Sequence, residues 1–378
     1  MDFIVGLFTY IIPFLIVLTA VVYVHELGHY WVARWGGVKI DTFSIGFGPE
    51  LFHWYNRQGT RWRIAAIPLG GYVKFHGDAD ASSAAAADLS RMDEAERAVS
   101  YHAKPVAVRA AIAAAGPVAN FLFAIAIFAV VFTLYGQPYT APVIGNVAPG
   151  SAAEQAGLKA GDRIVAVDGR DIVRFEDLRT YVALRAETPI AMAIERDHNP
   201  LTLTVTPRRV DVPDGFGGTT RVGQVGIQSG GVMEFKPLGP GGAVVQGVHE
   251  VWAIVGTTFT YVGRVFSGHE SGDQISGPIG IAKMSGDVAR LNPFALITLI
   301  ATLSVGIGLV NLFPVPMLDG GHLLFYAIEA VRGRPLGDRA QEFGFRVGLA
   351  LVFGLFLFAT WNDLQRLQVF GFLAKLFS

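Results

Sequence analysis

The chain lacks cysteine altogether. Disulfides are therefore excluded, as is any zinc site built from thiolates; a metal would need His, Asp or Glu. Charge is scarce too. Charged residues make up 16% of the 378-residue chain, against roughly 25% in a soluble domain. Hydrophobic residues make up 52%, and mean hydropathy is +0.42. This balance predicts a membrane protein. The formal net charge of −1 removes the electrostatic reason to expect nucleic acid as a partner. Basic residues are missing from the start, Met1-Asp2-Phe3, and no small-x-small pattern precedes His25. The first apolar run thus reads as a retained helix rather than a signal peptide.

Four runs are long and apolar enough to be read as spans: Phe3 to about Trp35, about Arg109 to Tyr135, about Pro293 to Leu318, and about Phe345 to Trp361. The last is the weakest, because Arg346 must snorkel to the interface. Lys and Arg cluster between spans one and two (Arg57, Arg61, Arg63, Lys74 among them) and again after span three (Arg332, Arg334, Arg339). The positive-inside rule puts both segments on the cytoplasmic side of a bacterial inner membrane. Both termini and the long 136–292 region then lie in the periplasm. The expected organisation is an N-terminal membrane half over 1–135, an outer domain over 136–212, a connector over 213–292, and a C-terminal membrane half over 293–378. In the first cytoplasmic segment, two glycine-punctuated apolar stretches, 43–49 and 63–75, predict membrane-associated β-hairpins. A small-residue stretch follows at 79–87, then a short charged helix near 89–99.

At the end of span one stands His25-Glu26-Leu27-Gly28-His29. On a helix, His25 and His29 share one face, so two imidazoles can hold Zn2+ while Glu26 acts as general base. A third ligand is needed at the same depth. Asp319 is the only acidic residue between Asp287 and Glu329, and it sits where Pro314, Pro316, Gly320 and Gly321 break span three. An ionisable residue in irregular backbone at membrane depth is a functional candidate. The two halves meet only if spans one and three run in the same direction. Parity then demands that the apolar stretch 238–266 be an interfacial or peripheral amphipathic helix rather than a fifth span.

The outer region carries Ala156-Gly157-Leu158, Gly161-Asp162-Arg163-Ile164 and Val167-Asp168-Gly169 at spacings that resemble a bacterial-type PDZ domain, roughly Pro142 to Arg208. Such α+β domains bind extended peptides by strand addition.

Taken together, these motifs resemble the site-2 protease family of intramembrane zinc metalloproteases, most of all the regulator-of-sigma-E-protease type with a single PDZ domain. The match covers His-Glu-x-x-His, Gly116-Pro117-Val118-Ala119-Asn120 in span two, the PDZ module, and Asn311-Leu312-Phe313-Pro314-Val315-Pro316-Met317-Leu318-Asp319-Gly320-Gly321-His322. The resemblance implies a four-span helical membrane protein with membrane-associated β-hairpins and an inserted PDZ domain. It also implies one Zn2+ on His25, His29 and Asp319, with Glu26 as catalytic base. Substrates would be transmembrane segments of other proteins, such as anti-sigma factors or leftover signal peptides. Asn311, Gly46, Gly48, Gly71 and Tyr72 would contact them. Asn120 reads as an interhelical hydrogen-bonding residue, and His322 as a non-ligand. Two rival functions fit parts of the pattern. A membrane-anchored zincin working in water would need a suitably placed ligand before residue 100, which is missing. A non-catalytic adaptor is disfavoured by the intact Glu26.

Overall fold

The computed structural model describes residues 2–78, 92–213, 219–272 and 275–367; the small-residue stretch 79–87 lies outside them. The chain divides into two compact units, one formed by residues 1–131 with 240–378 and one by 132–239.

In the first unit, α1 (Asp2–Trp35) leads into a long antiparallel hairpin, β1 (Ile40–Tyr55) with β2 (Arg61–Phe75). The sequence predicts two small hairpins here, with the glycines as turns. The structure instead has one ribbon. Gly46 and Gly48 have φ of +90° and +81° and fall where the register shifts, so they bend β1 as bulges rather than reversing it. The reversal lies at Asn56, whose side chain accepts hydrogen bonds from the backbone N–H groups of Gln58 and Thr60. An aromatic stack of Phe43 on Trp62 (4.2 Å), with Tyr30 edge-on to both, fastens the ribbon to α1.

The short helix α2 (Glu94–Val99) starts at a capping box of Asp93 and Glu96. It is followed by α3 (Val106–Leu134). After the second unit come α6 (Pro240–Phe266), α7 (Pro278–Leu291), α8 (Pro293–Asn311), α9 (Asp319–Arg332) and α10 (Asp338–Arg366).

Among the described residues, four helices are long and apolar enough to cross a membrane: Phe8–Trp35, Val106–Leu134, Phe294–Asn311 and Arg339–Arg366. The fourth is longer than the sequence suggests, because charged residues at its ends continue the helix beyond the apolar run. The contacts of α3 fix relative direction. His29 and His25 of α1 meet Ile112 and Asn120, while Ser304 and Gly308 of α8 meet Asn120 and Pro117. Both series run against α3, so α1 and α8 point the same way. Helix α6 is not one of the four. It packs on its neighbours at a few positions: the buried Gly247 abuts the α3 backbone at Ile125, and Phe259 meets Phe313.

The second unit is a mixed α/β domain. Strands β5 (Arg163–Val167), β6 (Arg170–Asp171), β7 (Ile190–Arg196) and β8 (Asn199–Val205) form an antiparallel sheet in the order β6-β5-β7-β8. Helices α4 (Ala152–Gln155) and α5 (Phe175–Ala183) pack on a core of Ile144, Leu158, Ile164, Leu178, Ile190, Met192 and Val205. A hairpin of β9 (Arg208–Pro213) and β10 (Thr219–Gln224) follows. The unit extends past the boundary drawn from sequence at 212. Strand β11 (Ile227–Ser229) pairs with β4 (Ile144–Val147), and β12 (Met233–Lys236) pairs with β3 (Gln137–Thr140). These strands of three or four residues close the domain by long-range pairing, which leaves little local signal.

Candidate metal centre

The last third of α1 presents Glu26 beside His25 and His29, the two histidines each 8% exposed. Their Nε2 atoms face one another at 3.2 Å. The third group comes from the break between α8 and α9. Helix α8 ends at Asn311; Pro314 and Pro316 prevent its continuation, and α9 begins at Asp319. Gly321 allows the tight return, since a β-carbon there would lie 2.6 Å from the Pro316 Cα. Asp319 Oδ2 lies 3.0 Å from His25 Nε2, and Oδ1 lies 3.5 Å from His29 Nε2. Among the described residues this is the one group of three potential ligands able to share an ion.

The cluster fits a cation better than it fits a hydrogen-bonded triad. Asp319 Oδ2 is buried yet makes no hydrogen bond of acceptable geometry despite its nearness to His25. Two imidazole nitrogens pointing at each other cannot both donate. Gly116 of α3 completes the cradle: a β-carbon there would sit 2.7 Å from Nε2 of His25 and closer still to Nε2 of His29. The one side chain this site leaves out is thus the one that would fill the space between the ligands. Two imidazoles and a carboxylate, with a side left open, match the donor set of a catalytic zinc.

Outer partners orient both rings. His29 Nδ1 hydrogen-bonds the Ile112 carbonyl at 2.7 Å, and His25 Nδ1 lies 3.2 Å from the Asn120 side-chain amide. A cavity opens onto the cluster, lined by Glu26, Gly71, Tyr72, Val73, Asn311 and His322 among others. Strand β2 runs close past the base. The Val73 backbone is in hydrogen-bonding reach of the Glu26 carboxyl, and a β-carbon on Gly71 would lie 3.1 Å from Glu26 Cγ.

Of the residues proposed from sequence, His25, Glu26, His29, Asp319, Asn311, Gly71 and Tyr72 come together around this cavity. Gly46 and Gly48 do not; they face Ile67 across the ribbon. Sequence reasoning missed Gly116 and the Ile112 carbonyl; it read Asn120 as an interhelical hydrogen-bonding residue without placing it beside His25. The Gly-Pro-x-x-Asn run was visible, but nothing local to it says that it faces histidines some 90 residues earlier.

A model of peptidase family M50 matches residues 13–355. The chain belongs to peptidase family M50, the site-2 protease family. This M50 chain is 49% identical to a protein of Agrobacterium fabrum named as a zinc metalloprotease, covering 95% of this chain and 96% of that one. A similarly named protein of Rhizobium meliloti is 49% identical over 94% of this chain and 96% of its own. Metalloprotease MmpA of Caulobacter vibrioides is 45% identical over 99% and 100%. The M50 protein is therefore a zinc-dependent peptidase, and its fold is that of a membrane protein.

Proposed function

We propose that this M50 peptidase hydrolyses peptide bonds within transmembrane segments of other membrane proteins, with His25, His29 and Asp319 holding one zinc. The observation that carries the reading is the source of these groups: both histidines come from one apolar helix of span length, and Asp319 from the break that follows another. A site so built is suited to substrates that arrive through the bilayer.

When bound, the zinc supplies Lewis-acid activation of water and of the scissile carbonyl. Glu26 takes the proton from the attacking water on its carboxylate and returns it to the leaving amine. The backbone edge of β2 at Gly71–Val73 lies beside that carboxylate, so a substrate unwound from its helix can pair with it as an added strand. Asn311 and Tyr72 line the same cavity and would contact the unwound chain. The protein sits in the bacterial inner membrane with its active site near the cytoplasmic side, as the Lys and Arg distribution favours. The unit at 132–239 is then a periplasmic PDZ domain that engages peptide or excludes substrates with bulky outer domains; the Gly-Asp-x-Ile motif and the antiparallel sheet support that reading.

The test is cleavage of a single-span substrate in proteoliposomes by wild type and Glu26→Gln. Wild type should cut inside the span. The variant should lose cleavage while keeping its zinc. Cutting confined to water-exposed segments, or full activity in Glu26→Gln, would sink the proposal.

A further inference from the structure

We infer that Asn120 is the positioning residue for His25: its side-chain carbonyl accepts the Nδ1 proton and so commits Nε2 to the metal. The inference rests on His25 being a ligand.

Asn120 is fully buried in α3, and its amide is 3.2 Å from His25 Nδ1. In the orientation found, Nδ2 faces the ring, and Oδ1 is buried with no hydrogen-bond partner among the described residues. A neutral imidazole carries one proton. With Nε2 given to a cation, that proton must sit on Nδ1, which then needs an acceptor and cannot face an NH2 group. A half-turn of the Asn120 amide brings the unpartnered Oδ1 to the ring and satisfies it. The atom that is idle in one orientation is the atom required in the other.

His29 solves the same problem with a backbone carbonyl, Ile112, which is available whatever residue occupies that position. His25 depends on a side chain, so the identity of residue 120 matters to its chemistry. The tie between α3 and α8 is separate. Ser304 Oγ donates to the backbone carbonyl of Asn120, which every substitution at 120 retains. Packing and positioning can therefore be pulled apart.

The experiment measures zinc affinity by chelator competition on the purified full-length protein and its variants. Asn120→Asp keeps the shape and offers only acceptors, so it should bind zinc at least as tightly as wild type. Asn120→Leu fills similar space with no acceptor and should bind roughly 10- to 100-fold more weakly. Ser304→Ala, which removes the interhelical bond alone, should leave affinity unchanged. An Asn120→Leu protein with wild-type affinity would overturn the inference, and so would an Asn120→Asp protein weakened by tenfold or more on that scale. The Asp arm decides the matter even if the Leu variant does not fold. His25→Ala is measured alongside. If it leaves affinity unchanged, the ligand assignment itself has failed. If it lowers affinity while Asn120→Leu does not, only the positioning role has failed.

Discussion

Gly116→Ala should remove zinc without unfolding the protein. The added carbon would lie 2.7 Å from His25 Nε2, and nearer to His29 Nε2, whereas an ordinary nonbonded contact is about 3.5 Å. One or both imidazoles must therefore retreat by about 0.8 Å or more. Zinc tolerates departures of only about 0.2 Å from Zn–N distances near 2.0–2.1 Å. At least one ring is then lost as a ligand, and zinc affinity should fall beyond the roughly 10- to 100-fold that loss of an outer-shell partner costs. Stability should move the other way. Position 116 is inside a helix, where Ala is favoured over Gly by roughly 0.5–1 kcal/mol. The assay pairs zinc competition with thermal unfolding in chelator. A Gly116→Ala protein that is folded and binds zinc as tightly as wild type would refute the cradle. A protein that merely melts early would show that the methyl disturbs helix packing instead.

Asp319→Asn should bind zinc more weakly than any outer-partner variant, because it removes a charged ligand; unchanged metal content with full activity would contradict the ligand set. In the second unit, Asp162 is 1% exposed and is held by Arg196 Nε at 2.7 Å, Arg196 Nη2 at 2.8 Å and the Lys159 backbone N–H at 2.8 Å. Burial alone would raise the Asp162 carboxyl; the Arg196 and Lys159 bonds outweigh it and hold the carboxyl below its usual range. The sign follows from linkage. A carboxyl depressed in the folded state contributes stability that is full above its unfolded pKa, about 3.9, and that disappears as pH falls through the lower folded value. The stability of this unit within the full chain should thus be steady from neutral pH to about 5 and fall below about 4. Asp162→Asn should lower stability at pH 7 by about 1.5–3 kcal/mol, the range for charged hydrogen bonds, and flatten the acid limb. An unaltered acid limb in the variant would assign that transition elsewhere.

The three proposed ligands, which the structure brings together, could be picked out of the sequence because their constraints are local. His25 and His29 sit one helical turn apart, and Asp319 is an isolated charge among prolines and glycines in an apolar run. Gly116 and Asn120 were not legible as site residues, because each matters only through a crossing of α1 and α3 that no local pattern encodes. The ribbon shows a second kind of limit. Glycines at 46 and 48 look like turn residues, yet glycine serves bulges as readily as turns. The actual reversal was carried by Asn56, an unremarked residue whose side chain folds back on Gln58 and Thr60. For α6, apolar content suggested a fifth span, but parity argued against one, and α6 is not among the four span-length helices; its contacts at Gly247 and Phe259 come from parts of the chain far off in sequence.

The join between α8 and α9 also sets a clock. On the proposed ligand set, the metal cannot be fully held until Asp319 has been made and folded back against α1, about 290 residues after His29. At roughly 5–20 residues per second, translation alone separates the two by about 15–60 seconds. Throughout that interval a nascent chain has its HExxH helix in place and no complete centre. Two of the three later span-length helices, α3 and α8, are thus made before the proposed centre can be complete, and only α10 follows it.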